Sequence, residues 1–64
     1  ETALTPRETE VLACIGRGRR GGETAGVLGL AEQTVAGYVK TLYRKLNISS
    51  RAEAALEAAR RGRV

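Results

Sequence analysis

The stretch Leu28–Leu46, LGLAEQTVAGYVKTLYRKL, constrains the fold of this chain more than any other part of it. Take about 100° per residue and set Val35 at zero. Val35, Val39, Leu42 and Leu46 then fall within roughly 60° of one another. Gln33, Lys40 and Arg44 gather about 160° away, with Ala36 and Gly37 flanking them. Gly29 marks a tight turn, so the stretch reads as the end of one short helix, a turn, and a second helix from about Glu32 to Leu46. Asn47 is a natural left-handed cap for its end. A helix with an apolar back and a basic front is anchored by one side and offers the other to a partner.

Three further helices are expected around it. Thr5-Pro6-Arg7-Glu8 combines a capping threonine, proline at the first helical position and a glutamate three residues after the cap. Val11, Leu12 and Ile15 form the face of that helix, Cys14 lies to its side, and Gly16 and Gly18 end it. A short helix over about Gly22 to Leu28 is weak on propensity, because Gly26 interrupts it at about 1 kcal/mol relative to alanine. Thr24 and Ala25 face inward there. Ala31, before the Glu32 helix, has no side-chain oxygen with which to cap it. A last helix opens on Ser50-Arg51-Ala52-Glu53, a second capping box. Its inner face is read as Ala52, Ala55, Leu56 and Ala59. Its outer face then pairs Ala54 with Ala58, flanked by Glu57 and Arg61, and two alanines one turn apart permit close approach of another helix.

Sixty-four residues support one domain, spanning 1–64, with a small core. A single cysteine and no histidine exclude an intramolecular disulfide and a Cys/His zinc site. With no metal constellation and no glycine loop between a strand and a helix, an enzyme is not expected, nor any cofactor. No segment is apolar for long enough to span a membrane, and no signal-peptide pattern is present, so the cytoplasm is the expected location. The chain opens at Glu1 without methionine, as a fragment of a longer protein would.

Eleven Lys and Arg against seven Asp and Glu leave a net charge of +4. The distribution says more than the sum. Between Gln33 and Ala52 every charged residue is positive: Lys40, Arg44, Lys45 and Arg51. Arg17, Arg19 and Arg20 form a second cluster, and Arg60, Arg61 and Arg63 a third. Glu8, Glu23, Glu32 and Glu53 sit near helix starts, where the helix dipole favours them. Two short-linked helices with a basic front on the second form a helix-turn-helix, whose second helix fits the major groove of double-stranded DNA. Two aromatic residues are too few for a base-stacking platform on single strands.

Leu4-Thr5-Pro6-Arg7-Glu8, Glu10-Val11-Leu12, Leu28-Gly29-Leu30, Thr34-Val35, Val39, Arg44-Lys45-Leu46 and Ser49-Ser50-Arg51 occur in order and without insertion. Together they resemble the LuxR/FixJ-type C-terminal DNA-binding domain of bacterial transcription regulators, over essentially the whole chain. The resemblance implies an all-α, four-helix helix-turn-helix domain, with the third helix for recognition and the fourth for dimerisation on DNA. It also implies an upstream receiver or sensor domain in the parent chain. Base contacts are implied at Ala36, Gly37 and Lys40, with Gln33 and Tyr38 as further candidates. Phosphate contacts are implied at Thr34, Arg44 and Lys45, with Arg20 placed beside them. The dimer contact is expected from Ala54, Glu57, Ala58 and Arg61. Family members often carry polar residues where this chain has Ala36 and Gly37, so modest specificity and a large phosphate contribution are expected. The competing reading is a helix-turn-helix with an eroded front, acting as a protein-interaction module.

Overall fold

The computed structural model describes residues 3–62. Four helices follow one another: α1 (Pro6–Gly16), α2 (Gly21–Leu28), α3 (Glu32–Leu46) and α4 (Arg51–Arg60). The described residues contain no strand. No helix among them is long and apolar enough to cross a membrane.

Each boundary has a local cause. The Thr5 side chain accepts from the Glu8 amide at 3.2 Å while Glu8 Oε1 accepts from the Thr5 amide at 2.9 Å, which closes the expected capping box on α1. For α2 the reach is one-sided: Glu23 Oε1 accepts from the Arg20 amide at 2.8 Å. At α4 the Ser50 hydroxyl accepts from the Glu53 amide, but the Glu53 carboxylate bonds the Ser49 amide, one residue earlier than a standard capping box requires. Gly29 ends α2 in the left-handed region (φ 69, ψ 35), and Asn47 does the same for α3 (φ 56, ψ 48).

The central element is α1, which packs against the other three helices and most extensively against α4, while α2 lies on α3. Val11, Leu12 and Ile15 meet Leu42 of α3 in the buried core, with Leu4, Leu28, Tyr38, Val39, Tyr43, Leu46 and Ile48 packed around them. Cys14 is buried as well, and Arg19 Nη1 approaches its sulfur at 3.9 Å. Thr24 and Ala25 are buried as expected, so α2 keeps its inward face despite its glycines. Within the described residues no buried side-chain polar atom lacks a partner.

The fourth helix is rotated relative to expectation. Ala54 and Ala58 are 0% exposed and belong to the core, whereas Leu56 is 62% exposed. Ala52 and Ala59 face outward too, and Ala55 is half-buried. The two alanines one turn apart do permit close approach of a helix, but that helix is α1 of the same chain. A leucine at position 56 suggests an inner face by its size, yet the contact with α1 is filled by methyl groups. Ala54 and Ala58 therefore cannot supply a contact with a second copy. Glu57 is turned along its own helix, paired with Arg60 Nη1 at 2.7 Å and Arg61 Nε at 3.4 Å.

Candidate nucleic-acid interface

The helix pair α2–α3 turns at Gly29, with the Leu30 amide bonded to the Ala25 carbonyl at 2.9 Å. That bond satisfies a carbonyl at the end of α2 and holds the turn tight. Val35 and Leu42 anchor α3 as fully buried side chains, and Val39 and Leu46 are half-buried along the same stripe. The back of α3 is thus the one foreseen from the spacing.

On the opposite side Gln33, Thr34, Ala36, Gly37, Lys40 and Arg44 are all exposed. Lys40 and Arg44 form no ion pair among the described residues. At the start of the helix Ala31 has extended backbone (φ −73, ψ 151) and provides no side-chain cap. The first-turn amides of α3, with Thr34 beside them, leave a helix N-terminus suited to an anion such as a phosphate.

Two of the expected positions are employed differently. Tyr38 is half-buried and packs against the core, on the flank of the apolar stripe, so its ring supports α3 rather than standing on its front. Lys45 is drawn back to α1: its Nζ donates to Glu8 Oε1 at 2.9 Å and to the Ala3 carbonyl at 3.4 Å. Glu8 itself is only 5% exposed. The Lys45 hydrogen bond, aided by the Thr5 amide, lowers the Glu8 pKa below its usual 4.5 although burial opposes the shift. Of the Arg44-Lys45 pair, Arg44 is therefore the cation left exposed and without an ion pair among the described residues, while Lys45 fixes the C-terminal half of α3 to the N-terminus of α1.

Arg20, the N-cap of α2, lies across from Arg51 of α4. The two arginines line a cleft of about 370 Å³ together with Ile15, Gly18, Ala52 and Ala55. Arg51 Nη2 donates to the Arg19 carbonyl, joining the α1–α2 loop to α4. Residues 20 and 51 are far apart in the chain, and no local pattern could have signalled their meeting. Exposure of Leu56 was missed for a related reason, since the alanines at 52, 54, 55, 58 and 59 satisfy more than one apolar stripe of α4. Of the C-terminal basic cluster, Arg60 and Arg61 pair with Glu57, and Arg63 lies outside the described residues.

An open-ended, basic-fronted α3 behind a glycine turn invites comparison with known regulators. The family model GerE, "Bacterial regulatory proteins, luxR family", matches residues 2–58. This chain belongs to that family. Among curated relatives, the HTH-type transcriptional activator RamA of Corynebacterium glutamicum is 42% identical over 60 residues, covering 94% of this chain and 21% of that protein. The nitrate/nitrite response regulator protein NarP of Escherichia coli is 40% identical over 55 residues, 86% of this chain and 26% of its own length. The transcriptional regulatory protein YdfI of Bacillus subtilis is 39% identical over 62 residues, 97% and 29% respectively. The chain therefore spans between about a fifth and a third of the relatives it matches. No solved structure gives a significant match.

Proposed function

We propose that this luxR-family domain is the double-stranded DNA-binding part of a bacterial transcription regulator, with α3 lying in the major groove. The observation that carries this reading is the unpaired front of α3. Lys40 and Arg44 stand exposed beside Gln33 and Thr34, on a helix whose opposite side is locked into the core. Lys40 and Gln33 reach base edges; Arg44, Thr34 and the first-turn amides of α3 hold phosphates, with Arg20 at the start of α2 as a further phosphate contact. Regulators named among the relatives, RamA, NarP and YdfI, support transcription as the context. A receiver or sensor domain elsewhere in the parent chain is part of the same proposal, as is location in the cytoplasm.

Two copies would pair on DNA through the exposed side of α4, formed by Ala52, Leu56 and Ala59 with the half-buried Ala55 at its edge. Leu56 is the large apolar side chain that this surface leaves in solvent. A C2 contact presents the same patch twice, so each leucine can seat among the partner's alanines.

Electrophoretic mobility shift with random duplex at low salt tests the core of the proposal, since an interaction module would retard no DNA. Affinity should fall steeply with salt, with a log–log slope of about −0.9 for each phosphate contact. Arg44→Ala should weaken all sites about equally and reduce that slope by about one, whereas Lys40→Ala should relax discrimination between sites. Uniform loss in both variants would overturn the division between base and phosphate contacts. An affinity almost independent of salt would overturn the phosphate contribution.

A further inference from the structure

We propose that α3 reads the C5-methyl group of a pyrimidine through the methyl of Ala36, and that Gly37 lets the helix sit deep enough in the groove for the contact to form. This rests on the DNA-binding reading above and identifies what its half-site must contain.

The front of α3 is poor in hydrogen-bonding groups. Of its exposed residues, Gln33 and Lys40 can address base edges, and Arg44 lies a turn beyond Lys40. The Thr41 hydroxyl already donates to the Gly37 carbonyl at 3.1 Å, and Tyr38 packs on the core. What remains is apolar: the exposed methyl of Ala36 beside the bare backbone of Gly37. The C5-methyl of thymine is the apolar feature of base edges in the major groove, and alanine is suited to touch it. In cytosine the same position carries hydrogen, and methylation there restores the group.

Gly37 is the second, independent observation. A glycine inside a helix weakens it and leaves the backbone at that point uncovered by a side chain. At Gly29 the use is backbone conformation, because φ is positive. At Gly22 a Cβ would come within 3.2 Å of Glu32 Oε2. A Cβ at Gly37 would meet no atom within 4 Å, and its backbone is ordinary helix. The space over this glycine is open among the described residues, and no side chain there holds a partner away from the helix backbone. Gly26 of α2 has equally open surroundings but does not share the front of α3, and so serves as the control.

The test begins with selection from a duplex library randomised over about two helical turns, using this chain. The enriched duplex is then prepared with deoxyuridine in place of thymine, which removes the methyl alone. Wild-type affinity should fall about fourfold for each methyl contacted. Where cytosine replaces the contacted thymine, its C5-methylation should strengthen binding by about the same factor. Ala36→Gly should bind the thymine duplex as weakly as wild type binds the deoxyuridine duplex and should not distinguish the two. Gly37→Ala should raise thermal stability yet reduce affinity about tenfold by crowding the groove, while Gly26→Ala should raise stability and leave affinity unchanged. Equal wild-type affinity for both duplexes, or a deoxyuridine effect that persists in Ala36→Gly, would overturn methyl reading. Full affinity in Gly37→Ala would overturn close approach. Failure to retard any duplex at low salt is a different result and would remove the DNA-binding reading itself. The wild-type comparison alters only the DNA, so it does not depend on any variant folding.

Discussion

The recognition helix α3 and the terminal helix α4 are both amphipathic, yet they bury themselves by opposite means. In α3 large side chains lead: Val35 and Leu42 are buried, and every residue on the far side is small or polar. In α4 the smallest side chains lead. Ala54 and Ala58 lie at 0% exposure against α1, and the one leucine of the helix points into solvent. A helix anchored by large residues gains most of its stability from the apolar area removed from water. One anchored by alanines gains it from backbone proximity, where the partner helix supplies the bulk. Core volume in this domain is concentrated in Val11, Leu12, Ile15, Val35 and Leu42, and α4 completes it by fitting closely.

Opposite substitutions should therefore hurt the two helices. Leu42→Ala removes buried volume from the centre of the core and should cost about 3 kcal/mol in denaturant unfolding. Ala58→Leu adds volume where α4 meets α1 and should cost about 2 kcal/mol, through displaced backbone rather than a cavity. If Ala58→Leu were neutral, α4 would have room against α1, and the contrast between the helices would fail.

Electrostatics sharpens the contrast further. The C-terminal half of α3 is tied to α1 by Lys45 and the nearly buried Glu8, whereas among the described residues Arg60 and Arg61, at the end of α4, pair with Glu57 of that helix. Glu8 is held below its usual pKa of 4.5, first by the Lys45 hydrogen bond. A carboxylate so lowered contributes stability in full above its unfolded value. That contribution disappears as pH falls through the folded value. Glu8→Gln should cost about 2 kcal/mol at neutral pH by leaving Lys45 without its carboxylate. It should also flatten the loss of stability below pH about 4.5, measured by thermal melts across the acid range. An unchanged acid limb would show that Glu8 titrates alike in the folded and unfolded chain.

What was legible from residues alone follows the same division. The capped start of α1, the turn at Gly29, the left-handed Asn47 and the phase of α3 depend on local chemistry or on large apolar residues at helical spacing. Each of those signals is contained within about one helical turn or one stripe. The phase of α4 was not legible, because alanine occupies positions 52, 54, 55, 58 and 59 and satisfies more than one apolar stripe. Which stripe turns inward is decided by the gap that α1 leaves, a tertiary property. The withdrawal of Lys45 from the front was hidden likewise. Its partner Glu8 is 37 residues away, and both belong to locally self-sufficient patterns. The exposed residues of the site were readable as a face, but how many of its cations remain free required the packing of α1.

Leu56 offers the finest test of the comparison, since its expected effect on the domain itself is the smallest. Were the side chain an anchor, Leu56→Ala would cost as much as other core truncations, about 3 kcal/mol. At 62% exposure it should instead shift stability by no more than about 0.5 kcal/mol, with the helix propensity of alanine offsetting what little contact is lost. The same variant should nevertheless weaken binding to a duplex carrying two half-sites while leaving affinity for a single half-site unchanged. That combination, silence in the melt and loss only where two copies can meet, separates a leucine kept for a second molecule from one that is merely tolerated in solvent. Equal affinity of wild type and Leu56→Ala for the two-site duplex would leave α4 with a role in the core alone.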